Sequence, residues 1–87
     1  MPASTFFYIE YPEGGRIKQP GGGGPFPSMK SAVDAILDLG KSDALLKGDD
    51  LTDFLAGSFV YEGKKNDGGL SYSYEEAAHL VSEEEGN

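Results

Sequence analysis

An α+β fold in one small domain, a short antiparallel sheet with helices laid against it, is what this sequence predicts, and local patterns carry that reading. Thr5-Phe6-Phe7-Tyr8-Ile9-Glu10-Tyr11 is dense in aromatic and β-branched residues, the composition of a strand. Met29, Ala32, Val33, Ile36 and Leu37 recur at i, i+3, i+4, i+7 and i+8, the stripe of a helix packed on a core. Ser58 to Glu85 reads as a strand, a charged turn, a second strand and a capped acidic helix. Eighty-seven residues, 38% of them hydrophobic and 11% aromatic, suffice for one core near the lower size limit of an unaided domain.

The first strand, near 5–11, places Phe7, Ile9 and Tyr11 on one face and Phe6, Tyr8 and Glu10 on the other. Either both faces are covered, or the second presents Phe6 and Tyr8 to a partner. Pro12-Glu13-Gly14-Gly15 has turn chemistry, and Arg16-Ile17-Lys18-Gln19 suits a short returning strand with cations guarding its edge. Residues 20–27 hold four consecutive glycines among prolines, read as a flexible connector without regular structure. A helix follows near 28–39, with Ser28 as N-cap and Gly40 as terminator. Residues 43–56 read as broken helix: a turn from Ser42 to Gly48, then a second segment capped by Asp49 or Asp50, with Leu51, Phe54 and Leu55 inward and Gly57 ending it. Strands near 58–62 and 70–73 flank the turn Lys64-Lys65-Asn66-Asp67-Gly68-Gly69, with Phe59 and Tyr61 opposite Val60. Ser73-Tyr74-Glu75-Glu76 is a capping box opening a helix near 74–84, with Tyr74, Ala77, Ala78 and Val81 as its apolar stripe. Glu83, Glu84 and Glu85 oppose the dipole at its end and are expected to fray it.

Composition narrows the function. The chain has no cysteine, so disulfides and thiolate metal sites are excluded. No apolar run is long enough for a membrane span, and the N-terminal residues lack a secretory pattern; the expectation is a cytoplasmic protein, in its own cell or a host's. The formal charge is −8, and it is uneven: residues 28–57 hold six Asp against three Lys, and 58–87 seven acids against two Lys. Such a balance disfavours direct contact with nucleic acid or anionic membrane and favours basic protein surfaces. Helix, helix, short helix and hairpin is also the order of a winged helix-turn-helix. Its recognition helix would be Asp50 to Ala56, which carries acids and no cation, so DNA binding is not expected.

Motif by motif, catalytic chemistry is missing. Neither a P-loop nor a dinucleotide fingerprint is present, and residues 49–53 do not match a calcium loop. His79 is the sole imidazole and has no cysteine or serine elbow to serve. Asp34 and Asp38 share a solvated helix face with Lys30, unsuited to a catalytic pair. The expectation is therefore no enzyme, no cofactor and no metal.

What remains is surface. Five Tyr and five Phe exceed what so small a sheet hides easily, and Tyr offers apolar area with a polar tip at interfaces. The residues expected to meet a partner are Asp34, Asp38, Asp49, Asp50, Asp53, Glu75, Glu76, Glu83, Glu84 and Glu85, together with Phe6, Tyr8, Tyr61 and Tyr72. The partner expected is a basic or nucleic-acid-binding protein, inhibited by an acidic surface that stands where phosphates bind. The alternative is a structural or adaptor subunit that uses the aromatic sheet face, with self-association as one form. In size, acidity and lack of catalytic residues the chain resembles the small phage-encoded inhibitors of host defence, anti-CRISPR proteins among them, and that likeness implies a protein-directed inhibitor.

Overall fold

The structure is a computed structural model that describes residues 6–63 and 69–85. The expected strand at Thr5 and the turn at residues 64–68 lie outside the described residues. Elements run β1 (Phe7–Tyr11), β2 (Gly21–Phe26), α1 (Met29–Ser42), α2 (Asp49–Ala56), β3 (Phe59–Glu62), β4 (Ser71–Ser73) and α3 (Tyr74–Glu85). The strands form one sheet in the order β2-β1-β3-β4, each neighbouring pair antiparallel. The α+β class holds. β3 and β4 extend this sheet instead of standing apart as the wing of a winged helix.

Alternation along β1 and β3 sorts side chains between two faces. Ile9 pairs with Val60, and Val60 with Tyr72. This row joins Ala32, Val33 and Ile36 of α1 and Ala77 of α3 in the core, with Phe7, Tyr11, Phe26, Leu55 and Tyr74 packed around it. Val60 and Ile36 are fully buried, a burial that contributes about 1.5–3 kcal/mol for each side chain. Ser28 caps α1 by accepting from Ser31 N at 3.1 Å, and Ser73 caps α3 by accepting from Glu76 N at 3.2 Å. Met29 and Lys30 at the start of α1 share a cleft with Val81 and Glu84 near the end of α3, so the two helices run in opposite directions across the covered face. Ser58 locks the junction of α2, β3 and α3: its hydroxyl donates to Phe54 O and its carbonyl accepts from Tyr74 N, both at 2.9 Å.

The second strand is not where the sequence pattern places it. Residues 16–19 form no strand; Gly14 and Ile17 instead close a tight turn through two reciprocal backbone bonds of 2.9 Å. β2 is the glycine run itself, expected to be an irregular connector. Tyr11, Glu10 and Ile9 pair with Gly21, Gly22 and Gly23. The physical reason is room. A Cβ at Gly21 would strike the Tyr11 ring at 2.7–2.9 Å, and one at Gly24 would strike Tyr8 Cδ2 at 2.7 Å. β1 folds Tyr11 and Tyr8 over Gly21 and Gly24 of its neighbour, a use of glycine that marks close backbone approach.

Two further expectations are corrected. Gly40 does not end α1, which continues to Ser42. It is buried where α1 meets α2, and a Cβ there would come within 2.9 Å of Leu51 Cδ1 and 3.3 Å of Phe54. The residue preceding α2 is Gly48, with φ of 60° and no side-chain cap, instead of Asp49 or Asp50; those aspartates lie in the first turn, where their charge suits the helix dipole. α3 extends through Glu85 despite its terminal glutamates.

Candidate functional site

Beyond the covered face, the fold offers a groove and an open sheet surface. The groove lies between the loop leaving β1 and helix α2. Its volume is about 520 Å³, and its lining is Pro12, Glu13, Gly14 and Gly15 on one wall, with Leu45, Leu46, Asp50, Asp53, Phe54 and Gly57 opposite. Helical spacing puts Asp50, Asp53 and Phe54 on adjoining positions of α2. Phe54 points inward, 2% exposed, and meets the Tyr11 ring at a centroid distance of 6.2 Å. Leu46 is buried beside it, whereas Leu45 is 54% exposed. The floor is therefore apolar and the rim carboxylate: Glu13, Asp50 and Asp53 are exposed, and no hydrogen bond or ion pair among the described residues engages their side chains. No cation lines the groove among the described residues.

One buried carboxylate holds the groove's two walls together. Asp43, just beyond α1, accepts from Arg16 N at 2.5 Å and from Leu45 N at 2.9 Å. The first bond reaches across to the β1–β2 loop, and the second shapes the chain leading to α2. These two amides, the Arg16 amide foremost, hold the Asp43 carboxyl below its ordinary value, with the Arg16 and Lys18 charges helping and burial opposing. The Arg16 guanidinium contributes little directly, since its Nε is 3.9 Å away and its side chain is 75% exposed. Gly15 makes the contact possible. Its φ is +58°, in the left-handed region, and a Cβ there would run into the Asp43 carboxylate.

The open surface is the other side of the sheet. Tyr8 pairs with Tyr61 and Glu10 with Phe59, which puts all four on the face opposite the core row. The Tyr61 hydroxyl donates to Glu10 Oε1 at 3.0 Å. Phe59 is 39% exposed and Phe6, just before β1, 46%. None of the three helices packs on this side among the described residues, because their core contacts go to Ile9, Val60 and the residues around them.

The expected partner-binding residues therefore separate into several places. Asp50 and Asp53 meet at the groove, while Asp49 is exposed on the same helix without lining it. Phe6, Tyr8 and Tyr61 belong to the open sheet face. Tyr72 does not; it sits beside Val60 on the covered face, half-buried against the core. Asp34, Asp38, Glu75, Glu76, Glu83 and Glu84 are exposed on α1 and α3, and Glu85 ends α3. Asp34 pairs with Lys30 at 2.8 Å, and Glu83 lies 3.4 Å from His79 Nε2. Burial, and then the charge of Asp34, raises the Tyr74 hydroxyl above its ordinary value.

Sequence reasoning passes over Glu13, Pro12, Leu45, Leu46 and Asp43 as binding residues. Glu13 falls within a turn signal, and the Leu45-Leu46 pair between two short helical patterns is the one available hint of an apolar floor. Asp43 is local in its bond from Leu45 N, but the partner that ties the two walls, Arg16 N, lies 27 residues away and is invisible to spacing.

Among the described residues, no three His, Asp or Glu side chains gather closely enough to hold a metal ion, and no helix is long and apolar enough to cross a membrane. The chain matches no family model, and comparison with curated proteins and with solved structures finds no match.

Proposed function

We propose that this chain is a non-enzymatic protein-binding module that docks acidic and aromatic surface onto a basic partner. The observation that carries the reading is the groove, where carboxylates without partners among the described residues rim an apolar floor. A rim of one sign around a desolvated centre supplies both halves of a protein interface: charge complementarity for encounter and apolar area for retention. The partner class is a protein that itself handles nucleic acid, because surfaces built to hold phosphates are basic. Occupying such a surface would inhibit it.

A second reading rests on a different observation, the helix-free sheet face with Phe6, Tyr8, Phe59 and Tyr61. There the chain would complete an assembly or join a second copy through apolar contact, with little dependence on salt.

The test is capture of partners on tagged protein, washed at low and at high salt, with each recovered protein identified. Release by salt or by competing DNA is the outcome expected of the first reading. Recovery that resists salt and fails with Tyr8→Ala and Phe59→Ala variants would replace it with the second.

A further inference from the structure

We infer that the groove between the β1–β2 loop and α2 receives a short segment of a partner protein, one apolar side chain flanked by Lys or Arg. This rests on the protein-docking reading above and specifies its site and ligand. Pro12, Leu45, Leu46 and Phe54 provide an apolar floor, and the 54% exposure of Leu45 leaves apolar surface available for contact. A volume of about 520 Å³ is ample for one large aliphatic or aromatic side chain with adjacent backbone. Glu13 stands on one wall and Asp50 and Asp53 on the other, so cations on either side of the anchor each find a carboxylate.

Charge complementarity selects this occupant over others. A nucleic acid would meet three carboxylates and no cation in the described lining. The cleft between α1 and α3 sets Met29 and Val81 beside a single carboxylate, Glu84, and a cation, Lys30, and Asp34 on α1 is already paired with Lys30. The groove is also preformed. Asp43 ties the loop wall to the chain before α2, so little ordering entropy is lost when the segment enters.

The full chain, labelled with ¹⁵N, is titrated with a synthetic peptide of alternating Lys and Arg around one central leucine, and with the same peptide carrying glycine at the centre. The leucine peptide is expected to shift the amides of Gly14, Gly15, Leu45, Leu46 and Phe54 with a Kd on the order of 10 µM. Asp50→Lys with Asp53→Lys should weaken it by ~10-fold. Leu45→Ser should erase the preference for leucine over glycine while leaving the fold intact, because Leu45 is exposed.

Equal binding of both peptides to the unaltered chain would overturn the inference, as general electrostatic attraction would then suffice. Shifts on the sheet face or along α3, or no shifts at about 1 mM peptide, would overturn it as well. Groove shifts that grow with protein concentration alone would name a second copy as the occupant instead. A partner identified by capture that binds the Asp50→Lys, Asp53→Lys protein undiminished would refute the groove while leaving the docking function standing. Captured partners that resist salt and require Tyr8 and Phe59, with the leucine peptide still seated in the groove, would remove the salt-dependent docking function and leave the groove as a peptide site only.

Discussion

The groove and the open sheet face are both exposed apolar surfaces carrying acid, yet their carboxylates are deployed differently. On the sheet, Glu10 is occupied by the Tyr61 hydroxyl, so its charge partly serves the fold. At the groove, Glu13, Asp50 and Asp53 rim the floor, and the carboxylate that holds the structure is a separate one, Asp43, beneath them. Net charge alone does not separate these cases. A carboxylate that already accepts internal hydrogen bonds has less to offer a partner, whereas a rim carboxylate can still exchange water for a cation. On the docking function proposed above, a salt-sensitive partner is expected at the groove and a salt-resistant one at the sheet.

The groove wall is most vulnerable at Gly15. Gly15→Val places a branched side chain at a left-handed φ and against Asp43, at an expected cost of about 1–3 kcal/mol, read by urea denaturation. Amide shifts should spread over residues 12–18 and 43–46 and spare Tyr8 and Tyr61. Equal disturbance of both regions would show that the groove wall and the sheet are one cooperative unit.

Binding sharpens the contrast next. Asp50→Lys with Asp53→Lys should lower affinity for a basic partner by ~10-fold at low salt and by less at high salt, measured by titration calorimetry. Tyr8→Ala with Phe59→Ala should leave that salt dependence unchanged.

Smaller still is Tyr61→Phe, which removes the hydroxyl bonded to Glu10. A loss of about 0.5–1.5 kcal/mol is expected, with no change at the groove. A neutral result would mean that Glu10 is satisfied equally well by water.

Acid titration gives the last separation. A carboxyl held below its ordinary value stabilises the fold fully above that value, which is 3.8 for Asp43. The stabilisation disappears as pH falls through the lower folded-state value. Thermal melts between neutral pH and about pH 2 should therefore lose stability at the acid end, with the groove amides responding first. Asp43→Asn should melt lower at neutral pH and flatten that acid limb; an unchanged limb would assign the acid loss to other carboxylates.

Much of the architecture is legible because it is locally encoded. The α1 stripe from Met29 to Ile36, its Ser28 cap, the two faces of β1 and the stripe of α3 depend on residue spacing within one element, and the structure reproduces each; Leu37, expected on the α1 stripe, is not in the core cluster. Of the candidate site, Asp50 and Asp53 are visible as acids of a short helix, and Phe6, Tyr8 and Tyr61 as strand aromatics. Their division between two surfaces is not. Spacing along a strand or helix tells which residues share a face, but it does not tell what lies opposite that face.

By itself, then, the sequence determined the α+β class, the acidic character and most core-facing residues of β1, α1 and α3, because periodicity and capping act over a few residues. Tertiary structure decided the rest. The glycine run pairs as a strand along β1, and Tyr11 and Tyr8 occupy the space that side chains at Gly21 and Gly24 would need. Gly40 remained helical because Leu51 and Phe54 close over it. Asp43 became the pin of a groove because the amide it holds belongs to a loop 27 residues earlier in the chain. In each case the deciding atom belongs to another part of the chain, and contact between distant segments exists only once the fold has brought them together.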